Sequence, residues 1–551
     1  MLEGCHSWPD ELCSLYREKG YWEDRTIPEV IEAAISNNSA KTALVFPDER
    51  VSYQAVGQMS NRLAHHFVAL GIRPRDRVVF QLDSKVFFIP TFLAMLKIGA
   101  IPVLALPSHR DHEIEHFIAF SGATAYVIPD EINGFDFREM ATRMQSKGGS
   151  LKTVLVAGEV SGDHISIPKL LQEAAPGEGQ DGLLDHLQSA PDDVALMLLS
   201  GGTTAIPKLI PRTHNDYVYN FKQSGAVAGF DTSTVFLAVL PLAHNYTLAS
   251  PGVLSVLELG GQVVFSPSNK PEDVFPCVER HKVTNINAAV PLFNLWLNSD
   301  IPAKHDLSSL RAVMNGGARL APKLRRRAEA TFGCRFLESF GTGEGLLMQT
   351  RLDDSDDIRM NSSGKPVSPG DEIKVVDEAG NELPDGETGE LLVRGPYTIR
   401  GYYNSPENDK KAFTTDGYYR MGDTVYQVDG YIYAEGRKKD LINRGGEKIS
   451  VEEVENLIFA HPSVQGVAIV AMPDPVFGEK ACAYVKLCSD TQLNFEQLQD
   501  FLLKSKIAKF KLPERLEIID EFPISPAGKI LRKELRERIS KVISMESSEG
   551  K

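Results

Sequence analysis

The chain has 551 residues, of which 42% are hydrophobic and 24% charged, and its formal net charge is −15 at pH 7. Hydrophobic cores stop growing at roughly 250–300 residues, so at least two domains are expected. The acidic balance disfavours nucleic acid as the main partner, because binding a phosphate backbone requires clustered cations.

The N-terminal segment and the cysteine pattern are typical of a cytoplasmic protein. The opening residues, MLEGCHSWPDELC, are acidic where a secretory signal has a basic and then an apolar region. The sequence also lacks the long charge-free apolar run that a membrane span needs. Its six cysteines show no CxxC spacing, which predicts reduced thiols rather than a zinc site or disulfides.

Up to about residue 350, short apolar runs rich in β-branched residues alternate with longer mixed stretches. RVVFQLD (77–83), FFIPTFLAMLKIGA (87–100) and IPVLALP (101–107) are one such series. The same strand pattern recurs at 153–158, 194–200, 234–242 and 262–268. This alternation predicts parallel sheets covered by helices, with ligands at the carboxyl ends of the strands.

From about residue 360 the pattern changes to closely spaced strands with turn residues between them. DEIKVVDEAGNEL, GETGELLVRG, DGYYRMGD and VDGYIYAEG predict antiparallel hairpins that form a small barrel. After GRKKD (436–440), alternating helix and strand patterns predict a compact α+β domain of about one hundred residues. A hinge is expected near residues 437–440.

The strongest local motif is LLSGGTTAIPKLIPRTH (198–214), which follows a predicted strand. Its small residues expose backbone amides and hydroxyls that can wrap an anion, and Lys208 adds a positive charge. The GxxxxGKS/T spacing of a Walker loop is absent, and a flexible surface loop is the alternative interpretation. The candidate anion-binding residues are Ser200, Gly201, Gly202, Thr203 and Thr204.

A second glycine-rich segment is SFGTGEGLLMQTRLDD (339–354). No βαβ unit with the required acidic residue follows it, so a dinucleotide fingerprint is disfavoured. Glu344 is a candidate ligand for magnesium, which prefers hard oxygen ligands and substrate phosphates. The alternative for Glu344 is an ordinary solvated glutamate.

Two further segments carry candidate polar groups. In YYRMGDTVYQVDGYIYAEGRKKD (418–440), Asp423 can accept two ribose hydroxyls and Arg437 can reach a phosphate or the same sugar. The alternatives are a turn aspartate and a surface arginine. In FPISPAGKILRKELR (522–536), a turn containing proline and glycine places Lys529 just before a helix. A single exposed lysine means little by itself.

These four segments, in this order and spacing, resemble the adenylate-forming superfamily of acyl-CoA synthetases, luciferases and adenylation domains of nonribosomal peptide synthesis. The likeness covers essentially the whole chain and is greatest to stand-alone aryl-acid AMP ligases, such as the 2,3-dihydroxybenzoate–AMP ligases. The other segments that carry it are SWPDELCSLYREKGYW, ALPSHR, LIPRTHNDY, HNYTLASPGVL, TRLDD, RGPYTIRGYY and NRGGEKISVEEVENLIFAHP.

With this resemblance, the expected fold is α/β and multidomain. Residues 1–436 are expected to form a large N-terminal domain of two doubly wound α/β subdomains and a small β-barrel, which binds ATP and the aryl acid. Residues 437–551 are expected to form a smaller, mobile C-terminal α+β domain that carries the catalytic lysine.

The resemblance implies that ATP and Mg²⁺ convert a small aromatic carboxylic acid into aryl-AMP with release of pyrophosphate. Lys529 would bridge the carboxylate and the α-phosphate, Lys208 and the 200–204 loop would hold the outer phosphates, and Glu344 would bind magnesium. Asp423 would bind the ribose hydroxyls, assisted by Arg437. Residues expected along the adenine and aryl walls are Gly316, Gly317 and Ala318, and Gly341 is a further candidate for binding ATP.

The acid pocket is expected around His244, Asn245, Ser250 and Ser339. In dihydroxybenzoate enzymes the residues equivalent to Asn245 and Ser250 contact ring hydroxyls, and such a pocket rejects analogues that leave its polar groups unpaired. His244 has the alternative interpretation of a satisfied core histidine. Ser339 stands where dihydroxybenzoate and salicylate enzymes have an aliphatic residue. The resulting hypothesis is a substrate with a different polar group, such as 3-hydroxyanthranilate or 3-hydroxypicolinate.

The resemblance further implies that the C-terminal domain swings about Lys439 and Asp440 after adenylation, bringing RGGEK (444–448) into the site for thioester formation. The acceptor would be the phosphopantetheine arm of an aryl carrier protein in nonribosomal peptide or siderophore biosynthesis. Neither a carrier-type serine motif nor HHxxxDG occurs in the sequence, so the carrier is expected on a separate chain.

Two alternatives share the fold. An aryl- or acyl-CoA ligase would pass the acyl group to free coenzyme A after the same first step. A nonenzymatic nucleotide-binding protein would retain the fold without the chemistry, and the joint presence of Lys208, Glu344, Asp423 and Lys529 argues against it.

Overall fold

The computed structural model describes residues 1–83, 86–179, 182, 184–187, 189–200, 207–437, 442–444, 447–505, 507, 509–525 and 529–549. The helices, in chain order, are α1 Asp10–Glu18, α2 Ile27–Asn37, α3 Tyr53–Ala69, α4 Phe88–Lys97, α5 Asp111–Ser121, α6 Phe137–Ser146, α7 Ile167–Gln172, α8 His214–Val227, α9 Asn245–Leu248, α10 Val253–Leu259, α11 Pro271–His281, α12 Val290–Leu297, α13 Pro322–Phe332, α14 Asp356–Asn361, α15 Pro406–Ala412, α16 Val451–Phe459, α17 Phe495–Lys504 and α18 Arg532–Glu549.

The strands, in chain order, are β1 Thr42–Val45, β2 Arg50–Ser52, β3 Arg77–Phe80, β4 Ile101–Leu104, β5 Ala125–Ile128, β6 Glu131–Ile132, β7 Phe135–Asp136, β8 Thr153–Val156, β9 Ile165–Ser166, β10 Val194–Leu199, β11 Leu209–Thr213, β12 Val235–Ala238, β13 Gln262–Phe265, β14 Asn285–Ala288, β15 Ala312–Asn315, β16 Arg335–Thr342, β17 Gly345–Gln349, β18 Lys365–Pro366, β19 Glu372–Val376, β20 Gly389–Arg394, β21 Tyr419–Val428, β22 Tyr431–Arg437, β23 Ile442–Arg444, β24 Glu447–Ile449, β25 Val464–Asp474, β26 Gly478–Leu487 and β27 Arg515–Ile518.

The two large sheets have the parallel character that the sequence predicts. One runs in the order β18-β17-β16-β15-β14-β12-β13-β1-β2, and the other in the order β11-β10-β4-β3-β5-β8-β9. In the first, β16 through β1 pair in parallel, and antiparallel strands close both edges. The strands are short and apolar because both faces of these sheets are covered by helices.

The largest apolar core lies between these two sheets and joins them into one body. It contains Phe80 and Leu196 from one sheet together with Phe236 and Leu337 from the other, and Phe221 of α8 lies in the same core. Helix α8 therefore packs where the two sheets meet. Its N-terminus is fixed by a capping box, in which Thr213 and Asp216 satisfy each other's backbone N–H groups.

The residues expected to form a small barrel form an antiparallel sheet in the order β19-β20-β21-β22. The C-terminal region has its own sheet, β24-β23-β26-β25, with β27 beside β26 and helices α16 to α18 around it. This arrangement confirms the α/β fold class. The proposed division at residues 436 and 437 remains a prediction, since 438–441 lie outside the described residues.

Two global features can be stated for the described residues. All six cysteines are free thiols, as expected from their spacing. Among the helices described, none combines the length and the apolar character needed to cross a membrane.

Candidate active site

The glycine-rich loop connects two antiparallel strands at the edge of a parallel sheet. Leu199 at the end of β10 pairs with Leu209 at the start of β11. Next to this pair, the backbone N–H of Ser200 donates to the carbonyl of Lys208 at 3.0 Å, and the N–H of Lys208 donates to Ser200 Oγ at 2.9 Å. The base of the loop is thus fixed. The predicted anion-binding residues that lie outside the described residues are Gly201, Gly202, Thr203 and Thr204.

One tyrosine connects the base of this loop to the predicted magnesium ligand. Lys208 Nζ lies 3.8 Å from the centroid of the Tyr402 ring, and the Tyr402 hydroxyl donates to Glu344 Oε1 at 2.8 Å. Burial, and secondarily the Glu344 carboxylate, raise the pKa of Tyr402, so this hydroxyl stays protonated and donates. Glu344 itself is buried, with 7% of its surface exposed. Tyr402 therefore contacts Lys208 through the face of its ring and Glu344 through its hydroxyl.

A buried arginine, Arg212, forms a hydrogen bond to the backbone next to Glu344. Arg212 Nε donates to Asp216 Oδ1 at 2.7 Å, and its NH1 donates to the carbonyl of Gly343 at 3.0 Å. Gly345 has φ of +123°, and a Cβ there would overlap the backbone of the neighbouring 397–398 segment. A Cβ on Gly341 would likewise overlap the carbonyl of residue 346. Both glycines permit the close backbone approach that fixes the Glu344 carboxylate.

Asn245 and Ser250 lie together and are oriented by helix α8. Asn245 Nδ2 donates to Ser250 Oγ at 3.0 Å, and Asn220 Nδ2 donates to the same oxygen at 2.9 Å. The Tyr217 hydroxyl donates to Asn245 Oδ1 at 2.8 Å. Because Ser250 Oγ accepts twice, its own proton is directed elsewhere, and Asn245 keeps a second amide proton. The two predicted pocket residues are thus preorganised polar groups.

His244 lies at the N-terminus of α9, next to this pair. Its Nδ1 accepts from the backbone N–H of Tyr246 at 3.2 Å, so the neutral ring carries its proton on Nε2. Burial, and secondarily the positive charge of Lys529, lower the pKa of His244 to about 4. His244 is therefore neutral near pH 7. The charge of Lys529, in the C-terminal region, thus acts on a residue of the predicted acid pocket.

Lys529 lies in the C-terminal region, shortly before helix α18, and its backbone is paired with Ser525. The backbone N–H of Ser525 donates to the carbonyl of Lys529 at 2.7 Å, and the N–H of Lys529 donates to Ser525 Oγ at 3.1 Å. Ile524 and Ile530 pair beside them as a β-bridge. The residues on either side of 526–528 are therefore paired with each other, whereas the proline and glycine of the predicted turn lie outside the described residues.

Contacts between the core and the C-terminal region accompany this position of Lys529. Arg319 NH1 donates to Glu452 Oε1 at 3.2 Å, and Ser450 Oγ donates to the carbonyl of Glu435 at 2.5 Å. Both Ser450 and Glu452 belong to the start of α16. The predicted hinge residues Lys439 and Asp440 lie outside the described residues, and so does part of RGGEK.

The predicted adenine wall follows the carboxyl end of β15. A Cβ on Gly316 would overlap the ring of Tyr246, whose hydroxyl donates to the carbonyl of Met314 at 3.0 Å. Gly317 (φ +85°) and Ala318 are exposed. Gly316 therefore gives the chain room against Tyr246, and the next two residues present backbone to the surface.

Asp423 and Arg437 are brought together by strand pairing. They face each other as a register pair between β21 and β22. Asp423 is buried, with 6% of its surface exposed, whereas the side chain of Arg437 is not described. The structure thus places the backbones of the two predicted ribose-binding residues directly opposite one another.

Sequence analysis missed the residues that orient the predicted ones. Tyr402 fixes Glu344, while Tyr217 and Asn220 fix Asn245 and Ser250. All three lie in or directly beside segments that carry the family resemblance, RGPYTIRGYY and LIPRTHNDY. That likeness was the available signal. The pairings themselves join residues that are far apart along the chain.

The arrangement combines two cations, a buried carboxylate and a polar pocket. Lys208 and Lys529 can shield negative charge on two anionic reactants, and Glu344 offers an oxygen ligand of the kind that Mg²⁺ prefers. Among the described residues there is no cluster of three His, Cys, Asp or Glu side chains. A metal at Glu344 would therefore take further ligands from substrate phosphates and water.

Two family models match the chain. The model of the AMP-binding enzymes matches residues 31–403, and that of the AMP-binding enzyme C-terminal domain matches residues 453–529. The 2,3-dihydroxybenzoate-AMP ligase of Bacillus subtilis (strain 168) is 45% identical over 541 residues, which cover 98% of each chain. Pyochelin synthase PchD of Pseudomonas aeruginosa (strain UCBPP-PA14) is 43% identical over 98% of this chain and 97% of its own.

A solved structure extends the likeness to three dimensions. The anthranilate CoA ligase AuaEII in complex with anthranoyl-AMP has a TM-score of 0.85 and 25% sequence identity, and the match covers 95% of this chain and 98% of that one. The likeness thus includes both the large N-terminal region and the C-terminal region.

Proposed function

The chain belongs to the family of AMP-binding enzymes, and we propose that it adenylates a hydroxylated aromatic carboxylic acid with ATP and Mg²⁺. The candidate acids are 2,3-dihydroxybenzoate, salicylate and nitrogen-containing analogues. The observation that supports the proposal most directly is the preorganised pair of Asn245 and Ser250 next to His244, whose pKa is lowered by burial and secondarily by the charge of Lys529 from the C-terminal region.

In the proposed reaction, a carboxylate oxygen of the acid attacks the α-phosphorus of ATP. The bond from that phosphorus to the bridging oxygen breaks, and pyrophosphate leaves with the electron pair, giving aryl-AMP. Both reactants are anions, so the barrier falls when positive charge is placed where negative charge accumulates. Lys529 is suited to this task because a compact ammonium can contact the carboxylate and the α-phosphate together.

Lys208 and Glu344 have complementary roles in this proposal. Lys208 neutralises charge on the outer phosphates, and Tyr402, which contacts both Lys208 and Glu344, helps to position the two side chains. Magnesium, when bound, supplies additional charge neutralisation on the phosphates. Glu344 fits as its protein ligand, because its carboxylate is buried, immobilised by Tyr402 and adjacent to the base of the phosphate loop.

The second half-reaction completes the proposed function. The phosphopantetheine thiol of a separate aryl carrier protein attacks the acyl carbonyl, a thioester forms, AMP leaves, and the thiol proton passes to solvent. We propose that the contacts between Arg319 and Glu452 and between Ser450 and Glu435 are present during adenylation. For the second step we propose that residues 437–551 rotate about Lys439 and Asp440, which withdraws Lys529.

Free coenzyme A is the alternative acceptor. The likeness to the structure of an anthranilate CoA ligase supports this alternative. Coenzyme A and a phosphopantetheinylated carrier present the same thiol, so the adenylation site is the same in both cases. Thioester formation with coenzyme A and with holo carrier proteins, measured on the same enzyme, distinguishes the two acceptors.

The adenylation proposal is tested by pyrophosphate–ATP exchange with a panel of aromatic, aliphatic and amino acids. We expect exchange that depends on Mg²⁺ and on a hydroxylated aromatic acid. Exchange supported equally well by aliphatic acids, or by none of the aromatic acids, would contradict the proposal.

A further inference from the structure

Gln349 at the end of β17 is a buried amide with unused hydrogen-bonding groups. Its side chain is fully buried, and among the described residues neither Oε1 nor Nε2 has a hydrogen-bond partner. An amide in the interior that lacks partners is costly, so native structures pair such groups with protein, water or ligand. We therefore expect the amide of Gln349 to form hydrogen bonds with a group outside the described residues, such as water or a ligand.

Ser339 is the direct neighbour of Gln349 across the sheet. The two residues form a register pair between the antiparallel strands β16 and β17. Residues directly opposite one another project to the same face, with Cβ atoms about 4.5–5.5 Å apart. Ser339 is also buried, with 6% of its surface exposed. A buried hydroxyl thus lies beside the unpaired amide of Gln349.

Their face of the sheet is the one that helix α8 covers. Leu347 lies two residues before Gln349, so it projects to the same face, and it shares an apolar core with Tyr219 of α8. The residue after Tyr219 is Asn220, which donates to Ser250 Oγ. The face of the sheet that carries Ser339 and Gln349 is therefore packed against the helix that orients Ser250.

We propose that Ser339 and Gln349 form a polar wall of the acid pocket that selects aromatic acids with a hydrogen-bonding group on the ring edge facing β16 and β17. This inference rests on the proposed adenylating function. A carboxamide both donates and accepts, and a serine hydroxyl can do either, so the wall suits a ring nitrogen or an amino group. An edge that carries only C–H leaves the Gln349 amide unpaired, and pockets of this kind discriminate strongly against such analogues.

Two pairs of acids isolate the proposed contact. 3-Hydroxypicolinate differs from salicylate only by a ring nitrogen in place of C–H, and 3-hydroxyanthranilate differs from 3-hydroxybenzoate only by an amino group in place of a ring hydrogen. For the wild-type enzyme we expect kcat/KM in pyrophosphate exchange to favour the nitrogen-containing member of at least one pair by about 10-fold or more.

The decisive variant is Gln349→Met, which keeps the length of the side chain and removes both polar atoms. We expect it to lower kcat/KM for the preferred nitrogen-containing acid by about 10-fold to 100-fold, and to change that for its partner acid by less than about 3-fold. Ser339→Val should shift the ratio in the same direction. Gln427→Met, on a strand of the distant β19 to β22 sheet, is the matched control and should leave the ratio unchanged.

The alternative is that Gln349 is satisfied by a trapped water and has only a structural role. In that case Gln349→Met changes kcat/KM equally for all acids, and the inference is wrong. If Gln349→Met folds poorly, Ser339→Val decides by the same ratio. A wild-type enzyme that adenylates aromatic acids without preference within either pair overturns this inference alone, whereas absence of exchange with every aromatic acid overturns the proposed function as well.

Discussion

The ammonium group of Lys208 lies over the ring of Tyr402, with Nζ 3.8 Å from the ring centroid, and the hydroxyl of that ring donates to Glu344 at 2.8 Å. The face of the tyrosine thus positions the phosphate-binding cation, while its edge positions the proposed metal-binding carboxylate. Tyr402 has no charge of its own at neutral pH, yet it sets the distance between two opposite charges.

Removal of the Tyr402 hydroxyl should affect the carboxylate more than the cation. We expect Tyr402→Phe to raise the KM for MgATP by about 3-fold to 10-fold, because Glu344 loses a charge-assisted hydrogen bond of about 1.5–3 kcal/mol, part of which water replaces. Tyr402→Leu also removes the cation–π contact with Lys208 and should raise the KM for MgATP further. The control is Tyr418→Phe, which removes a similar hydroxyl donor from Glu372 in the antiparallel sheet. Equal effects of Tyr402→Phe and Tyr418→Phe would contradict this role.

Asn220 should matter for the acid and not for the nucleotide. Asn220→Leu removes one of the two donors that orient Ser250, while the carbonyl of Ala249 keeps its hydrogen bond from Ser224. We expect the KM for the aromatic acid to rise by about 10-fold, the KM for ATP to stay within about 2-fold, and stability to fall by about 1–2 kcal/mol. Gln223→Leu on the same helix is the control, and steady-state exchange kinetics with thermal unfolding measure both effects.

Lys529→Ala tests the proposed catalytic cation. We expect kcat for adenylation to fall by about 100-fold or more, with small changes in the KM values, because the lysine stabilises charge mainly in the transition state. Lys533→Ala is the matched control. Lys533 lies four residues after Lys529, in the first turn of α18, and its Nζ is 3.9 Å from Oε1 of Glu537. Unchanged exchange by Lys529→Ala would exclude the proposed mechanism.

The titration of His244 reports whether Lys529 occupies the pocket in solution. A neighbouring positive charge disfavours protonation, so removing it raises the pKa. We expect the His244 resonance, assigned with a His244→Gln variant, to titrate near pH 4 in the wild-type enzyme and at higher pH in Lys529→Ala. His244 remains buried in both proteins, and burial is the larger cause of its low pKa, so the rise in the pKa of His244 should be modest. Identical titration curves would place Lys529 away from the acid pocket.

Acid should destabilise the protein through buried histidines. His214 is 1% exposed, its Nδ1 accepts from the backbone N–H of Ile27, and burial lowers its pKa to about 3. The unfolded chain, with a pKa of about 6.5, binds this proton first. The stability from neutral His214 is therefore fully present above pH 6.5 and is lost as the pH falls towards 3. This loss is on the order of 3–5 kcal/mol.

Thermal unfolding midpoints measured from pH 7.5 to pH 4 test this expectation. His214→Gln retains an acceptor for the Ile27 N–H and cannot be protonated, so its midpoint should fall less steeply below pH 6.5. His112→Gln replaces an exposed histidine and should keep the wild-type slope. A slope that is the same in all three proteins would contradict the assignment of this effect to His214.

Local sequence patterns predicted much of the architecture. The apolar runs at 194–200 and 262–268 became strands Val194–Leu199 and Gln262–Phe265, because residues that suit a buried strand differ from those of the turns around it. Site residues that share a short segment, such as Asn245 and Ser250, could be grouped for the same reason. Asp423 and Arg437 lie opposite one another because one hairpin joins them, and their joint role at the ribose stays a prediction.

By itself, the sequence determined the order of helices and strands, the family resemblance and the residue types that can bind phosphate, magnesium and an aromatic acid. Only the tertiary structure decided that Tyr402 connects Lys208 to Glu344, that the charge of Lys529 acts on His244, and that Gln349 faces Ser339 with its amide unpaired. The physical reason is the separation along the chain of the residues that interact. Strand and turn preferences depend on neighbours along the chain, whereas these contacts depend on strand register, sheet order and the packing of the C-terminal region against the core.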